Sequence, residues 1–276
     1  MELLKLPNLA WVACSDNPFL TSNTRTNIPN QDLQLTLFPS EYLNDPNEGL
    51  LLGKGASGIT REYTLEDGTS VAIKEYAASI TSDGNPYEER KVSLVASSLG
   101  CKSIVRVIGQ TTSGSLIMEL LKDYEVFAQP PSMESCSRDV YDEKKEIEGH
   151  HAISIVTNLL FALMKLHENG ICHGDFYGHN ILLSKSIRDD KVWLTDFGAA
   201  FFYNKESEYG ALINLIERRA FKHLVNEIKT LYERSCRTNV KDNDLTLKLQ
   251  NLSEKCESHS FTNLHDEWKS MTNMKS

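Results

Sequence analysis

Gly53, Gly55 and Gly58 form a G-x-G-x-x-G run between two apolar, strand-like stretches, and this placement limits the fold more than any other feature of the chain. Leu50-Leu51-Leu52 precedes the glycines. Ile59 to Leu65 follows, then the turn Glu66-Asp67-Gly68-Thr69 and the β-branched run Ser70 to Lys74. Turn chemistry at Asp67-Gly68 between such runs predicts an antiparallel meander. A dinucleotide-binding crossover would need a helix directly after the glycines, whereas residues 59–76 have strand character. The glycine loop therefore joins two neighbouring strands. Its backbone N–H groups can approach phosphate oxygens closely because no Cβ intervenes. Lys74, on the next strand, can reach the same phosphates as a point charge.

The rest of the chain becomes progressively more helical. Pro86 opens a helix predicted over about 87–99, with Glu88, Val92, Val95 and Leu99 on one face and Gly100 at its end. Two strands are expected at 104–108 and 115–121. Residues 123–150, with Pro130-Pro131 and an acidic-basic cluster at Asp139–Glu148, read as a mobile connection carrying a short helix. A helix over about 151–169 follows, closed by Gly170, then a hairpin at 181–183 and 192–194, and helices from about Leu212. Leu245, Leu247, Leu249 and Leu252 suggest a packing helix in the tail. Strands first and helices later give an α+β fold in two lobes. The expected division is an N-terminal extension over 1–48, a small lobe over 49–121 with an antiparallel sheet and one helix, and a mainly helical lobe over 122–276.

A second constellation lies in the helical half, at His173-Gly174-Asp175-Phe176-Tyr177-Gly178-His179-Asn180. An Asp and an Asn five apart in a loop can divide two tasks. The carboxylate can orient and accept a hydroxyl proton, and the amide oxygen can ligate a hard cation such as Mg²⁺. Asp196-Phe197-Gly198 follows directly after a predicted strand, where its carboxylate can take another face of the same metal.

Together these motifs resemble the protein kinase superfamily over roughly residues 49–235. The resemblance implies an ATP- and Mg²⁺-dependent phosphotransferase acting on a protein hydroxyl. It implies that Gly53, Gly55 and Gly58 cover the phosphates, that Lys74 pairs with them, and that Ala72, Met118, Glu119 and Leu121 hold the adenine end. Glu88, on the apolar stripe of its helix, is the expected partner of Lys74, with Glu89 the alternative. Asp175 is implied as base, Asn180 and Asp196 as metal ligands, and Glu217 as a brace for the catalytic loop. The wording His-Gly-Asp-Phe-Tyr-x-His-Asn-Ile-Leu resembles that of bacterial eukaryotic-like kinases in particular.

Some positions depart from the family pattern. Gly174 replaces the usual Arg, Tyr177 stands where Ser/Thr kinases place a Lys, and His179 where tyrosine kinases place an Arg. The stretch from Asp196 to Glu217 is short and lacks Ala-Pro-Glu. Two further readings therefore stand beside the protein kinase: a small-molecule phosphotransferase resembling aminoglycoside or choline kinases, and a pseudokinase scaffold.

Composition excludes rather than assigns. A net charge of −9 supplies no broad positive field for nucleic acid or anionic membrane. Six scattered cysteines without a C-x-x-C pair predict free thiols. The first residues make a poor secretory signal and no apolar run is long enough to span a bilayer. The expected setting is cytoplasmic, in the cell of origin or in a host.

Overall fold

At the Asp67-Gly68 turn, Thr69 N–H donates to Asp67 Oδ1 at 2.9 Å, closing the hairpin that the sequence predicts. The hairpin joins β3 (Gly58–Thr64) to β4 (Ser70–Tyr76), in register from Gly58↔Tyr76 to Thr64↔Ser70. The computed structural model describes residues 6, 9, 36–39, 49–55, 57–76, 85–131, 138–186, 190–236 and 243–272. β2 (Leu50–Lys54) pairs with the far side of β3, so the glycine loop connects adjacent strands as expected. β5 (Val107–Thr111) and β6 (Leu116–Glu119) complete the sheet beside β4. A further strand, β1 (Thr36–Phe38), comes from the N-terminal extension and pairs in parallel with β5. The six-stranded order is β1-β5-β6-β4-β3-β2, antiparallel everywhere except at the β1 edge.

β4 lies in the interior of this order, and Val71, Ala72, Ile73 and Lys74 are all buried. The strand expected at 104–108 falls later in the chain. Cys101 to Ile104 close a turn instead, and Ile104 bridges to Leu194 in the helical lobe. Its side chain joins the helical core, which removes it from the sheet.

α1 (Pro86–Ser98) begins where Asn85 accepts Tyr87 N–H at 2.8 Å, an N-cap followed by proline in the first turn. α2 (Gly149–Glu168) buries Ile155, Val156, Leu159, Leu160, Leu163 and Leu166 on its inward side. At about 1.5–3 kcal/mol for each fully buried large aliphatic chain, this stripe anchors the helical lobe. α3 (Gly210–Ser235), α4 (Asn243–Lys255) and α5 (Phe261–Thr272) pack around it. Trp268 of α5 is fully buried and donates Nε1–H to Thr157 Oγ1 at 2.8 Å. In α4, Leu245, Leu249 and Leu252 are buried while Leu247 is 66% exposed, because only the first three share the i, i+4, i+7 face.

The connection between the lobes is the main departure from expectation. No short helix forms among the described residues of 123–148. Instead β7 (Tyr124–Val126) pairs with β9 (Ile181–Ser184), and Gln129 and Val140 exchange backbone bonds. β9 also pairs with β10 (Val192–Leu194), and β8 (Ile171–Cys172) pairs with β11 (Phe201–Phe202). All four cysteines among the described residues are free. No described helix is long and apolar enough to cross a membrane.

Candidate active site

A cavity of about 340 Å³ separates the two lobes. Its roof is the glycine loop and β4, its back is β6, and its floor is β9 with the residues following β10. Gly53, Gly55, Gly58, Ala72, Lys74, Met118, Glu119, Leu121, Asn180 and Asp196 all line it. The structure thus gathers residues that lie more than a hundred positions apart in sequence. A Cβ at Gly58 would sit 2.0 Å from Glu75 O, so only glycine lets the loop return to the sheet here. Gly53 and Gly55 face open space, where a Cβ would meet nothing within 4 Å.

Lys74 organises the charged end of the cavity. Its Nζ donates to Glu89 Oε1 at 2.6 Å and to Asp196 Oδ1 at 3.1 Å. Burial disfavours the ammonium, yet the two carboxylates outweigh it and raise the Lys74 pKa above its ordinary value. Burial likewise works against the Asp196 carboxylate, and Lys74 together with Gly198 N–H holds it below the usual carboxylate range. Lys74 and Asp196 are therefore both charged near neutrality. Asp196 has φ 54°, a left-handed conformation that Asp tolerates better than most residues. Gly198 N–H bonds its Oδ1 at 3.1 Å and fixes that geometry.

Asn180 is buried at the cavity floor and spends its Nδ2 on Asp175, donating to the backbone O and to Oδ2, both at 2.9 Å. That orientation leaves the amide Oδ1 as its acceptor. Asn180 Oδ1 and Asp196 Oδ2 are hard oxygen donors on residues lining one cavity, a set that suits Mg²⁺ completed by phosphate oxygens.

The segment leading into Asp175 is held from beneath by Glu217 of α3. Its Oε1 accepts Gly174 N–H at 2.8 Å, and its Oε2 accepts His173 N–H at 3.0 Å and His167 Nε2–H at 2.7 Å. With Nε2 donating, His167 Nδ1 accepts the Tyr203 hydroxyl at 2.6 Å. Burial opposes the Glu217 charge, but these donors bring its pKa down to about 2. His173 packs against Phe197 with ring centroids 4.9 Å apart, and its Nε2 lies 3.0 Å from Thr195 O.

The protein kinase domain profile matches residues 47–228, about two thirds of the chain. The chain belongs to the protein kinase domain family. Similar proteins include a probable myosin light chain kinase of Dictyostelium discoideum, 26% identical over 162 residues that cover 57% of this chain and 38% of that protein. A G-type lectin S-receptor-like serine/threonine-protein kinase of Arabidopsis thaliana is 27% identical over 191 residues, covering 64% of this chain and 22% of its own length. A cyclin-dependent kinase 4 homolog of Caenorhabditis elegans is 28% identical over 167 residues, covering 59% and 40% respectively. The matched region therefore spans less than half of each of these relatives.

Within this kinase domain one expected contact is corrected. Glu89, rather than Glu88, meets Lys74. Glu89 is 3% exposed and on the inward face of α1 with Val92, Ser93 and Ala96, whereas Glu88 is partly exposed and lies 3.9 Å from Lys91. The predicted stripe runs through Val95 and Leu99, and it misses that small residues, Ser93 and Ala96, mark the buried side. Counting back from Ser93 by four reaches Glu89.

Sequence reasoning also misses a clamp on the kinase domain's catalytic loop. Asp139, 7% exposed, accepts Gly178 N–H at Oδ2 (2.7 Å) and His179 N–H at Oδ1 (3.1 Å). The same Oδ1 lies 2.7 Å from His179 Nδ1. A Cβ at Gly178 would come within 2.7 Å of the Tyr141 hydroxyl, so the loop needs glycine to sit this close. Tyr141 donates to Glu227 Oε2 at 2.9 Å. Burial pushes the Glu227 carboxyl up to about 7. No spacing motif joins 139–141 to 177–179, which is why only the fold reveals the contact.

Proposed function

We propose that this kinase domain transfers the γ-phosphoryl of ATP, in an Mg²⁺-dependent reaction, to the hydroxyl of a protein side chain. The single observation that carries the reading is the Glu89–Lys74–Asp196 bridge inside a cavity roofed by the glycine loop. A protein kinase needs the strand lysine tied to its helix glutamate and the Asp-Phe-Gly aspartate in place together.

Gly53, Gly55 and Gly58 would cover the phosphates and Lys74 would hold two of them. Ala72, Met118 and Leu121 would enclose adenine, with backbone groups at Glu119 and Leu121 bonding its edge. Asn180 and Asp196 would hold Mg²⁺, which when bound neutralises phosphate charge. Asp175, oriented by Asn180, would align the acceptor hydroxyl and take its proton. The Arabidopsis relative is a serine/threonine kinase by name, and we assign Ser/Thr as the acceptor class on that support. The loop wording around Asp175 supports the narrower bacterial eukaryotic-like type. We place the activity in a soluble, cytoplasmic setting.

One observation favours a small-molecule phosphotransferase as second reading: only seven residues separate β11 from α3, leaving little surface for a peptide-docking segment. Incubation with labelled ATP and Mg²⁺, alone and then with generic protein or amino-alcohol acceptors, separates the two. Label on protein supports the kinase. Label confined to small alcohols supports the alternative, and nucleotide binding without any transfer supports a scaffold.

A further inference from the structure

The clamp on the catalytic loop holds a second charged group that takes no part in fastening it. Arg138 and Asp139 are adjacent, and their side chains have different employments. Asp139 uses both oxygens on Gly178 and His179. Arg138 lies over the Tyr177 ring, with its guanidinium carbon 4.1 Å from the ring centroid, and Nη2 donates to Phe176 O at 3.0 Å. Among the described residues no carboxylate forms an ion pair with this guanidinium, and its Nη1 makes no hydrogen bond. Glu227, also near it, is pushed up to about 7 by burial and accepts from Tyr141 instead. His223 of α3 is held below the usual imidazole range by burial and by Arg138 and Lys222, so it stays neutral beside the guanidinium.

The location gives this cation a use. Phe176, whose carbonyl it binds, directly follows Asp175. Tyr177 stacks on His179 at 5.2 Å, and His179 with Asn180 lines the cavity. Arg138 therefore sits against the loop one residue from Asp175, outside the residues that line the cavity. The catalytic loop itself brings no Lys or Arg between His173 and Asn180. The chain as a whole carries −9 and would repel an acidic peptide, so a local guanidinium is the group available to select one. The Gln129–Val140 bonds fix the backbone beside it, which limits the ordering cost of binding.

Resting on the kinase reading above, we propose that Arg138 determines acceptor specificity by binding an acidic side chain next to the target hydroxyl. Arg138 is half-buried with its Nε enclosed, so a carboxylate would be taken through its two Nη groups, and one such pair is sufficient for a measurable preference.

The test uses the full chain and two synthetic peptides, one with a central serine flanked by glutamates and one with glutamines in their place. Peptide binding is followed by fluorescence anisotropy with a non-hydrolysable ATP analogue and Mg²⁺ present, and nucleotide affinity is measured on the same samples. The wild type is expected to bind the glutamate peptide about tenfold more tightly than the glutamine peptide. Arg138→Gln, which keeps a donor for Phe176 O, should reduce that preference to within about twofold, and Arg138→Lys should retain only part of it, since the ammonium keeps the charge but not the planar two-donor fork. Nucleotide affinity should stay within about twofold in both variants. Equal binding of the two peptides by the wild type, or a preference that survives in Arg138→Gln, overturns the proposal. Parallel loss for both peptides in the Gln and Lys variants also overturns it, by showing a structural role. A wild type that binds no nucleotide contradicts the kinase reading instead, and the peptide comparison is still read separately.

Discussion

The donor and acceptor sides of the cleft are built by different means. On the donor side, charged side chains meet one another: Lys74 joins Glu89 to Asp196, and Asn180 is turned by Asp175. On the acceptor side, a segment from the interlobe connection wraps the catalytic loop, and Asp139 holds it through backbone N–H groups. The first arrangement depends on residues whose identities the chemistry dictates. The second depends on shape, and any acceptor that joined two N–H groups at that place could serve. This difference explains why a family pattern can be followed closely at one side and abandoned at the other, where Tyr177 replaces a lysine.

The donor side should fail most severely at Asp196. Asp196→Ala should lower phosphoryl transfer by about 10³-fold or more, since it removes both the proposed metal ligand and the partner of Lys74. Steady-state turnover at saturating ATP measures this. The brace beneath both sides comes next. Glu217→Ala strands three N–H donors and should cost about 3–5 kcal/mol in chemical denaturation. In the wild type, the Glu217 pKa lies at about 2 when folded against an ordinary 4.5. The folded state then binds fewer protons, so this stabilisation is complete above pH 4.5 and is lost as pH falls towards 2. The linkage amounts to about 3 kcal/mol and should disappear from the stability profile of Glu217→Gln.

On the acceptor side the effect should be smaller. Asp139→Ala should cost about 1–3 kcal/mol of stability through its unsatisfied loop amides, while ATP affinity stays within about twofold. An equal loss of nucleotide affinity would show that the two sides are not separable. Finest of all is the test between adjacent glutamates. Glu89→Gln should reduce turnover about tenfold or more, and Glu88→Gln should leave it within about twofold. The reverse order would contradict the packing of α1.

Much of the donor side is legible in sequence because its chemistry fixes residue type and spacing together. Lys74, Asp175, Asn180 and Asp196 can be read in that way, and the hairpin at Asp67-Gly68 follows from local turn preference. Glu89 escapes such a reading because helical periodicity follows large apolar residues, while the buried side of α1 is lined in part by Ser93 and Ala96. The interlobe connection is illegible for another reason. Asp139, Tyr141 and Glu227 act through contacts 39 to 86 residues apart, and no local propensity encodes them. β1 likewise gains its strand character only from pairing with β5.

In the proposed reaction Asp175 aligns the acceptor hydroxyl for phosphoryl transfer. Single-turnover transfer from γ-labelled ATP, compared between the wild type and Asp175→Asn at matched nucleotide occupancy, tests it most directly. ATP affinity should stay within about threefold and transfer should slow by about 10²–10⁴-fold in the variant. Equal transfer rates in the two proteins would contradict it.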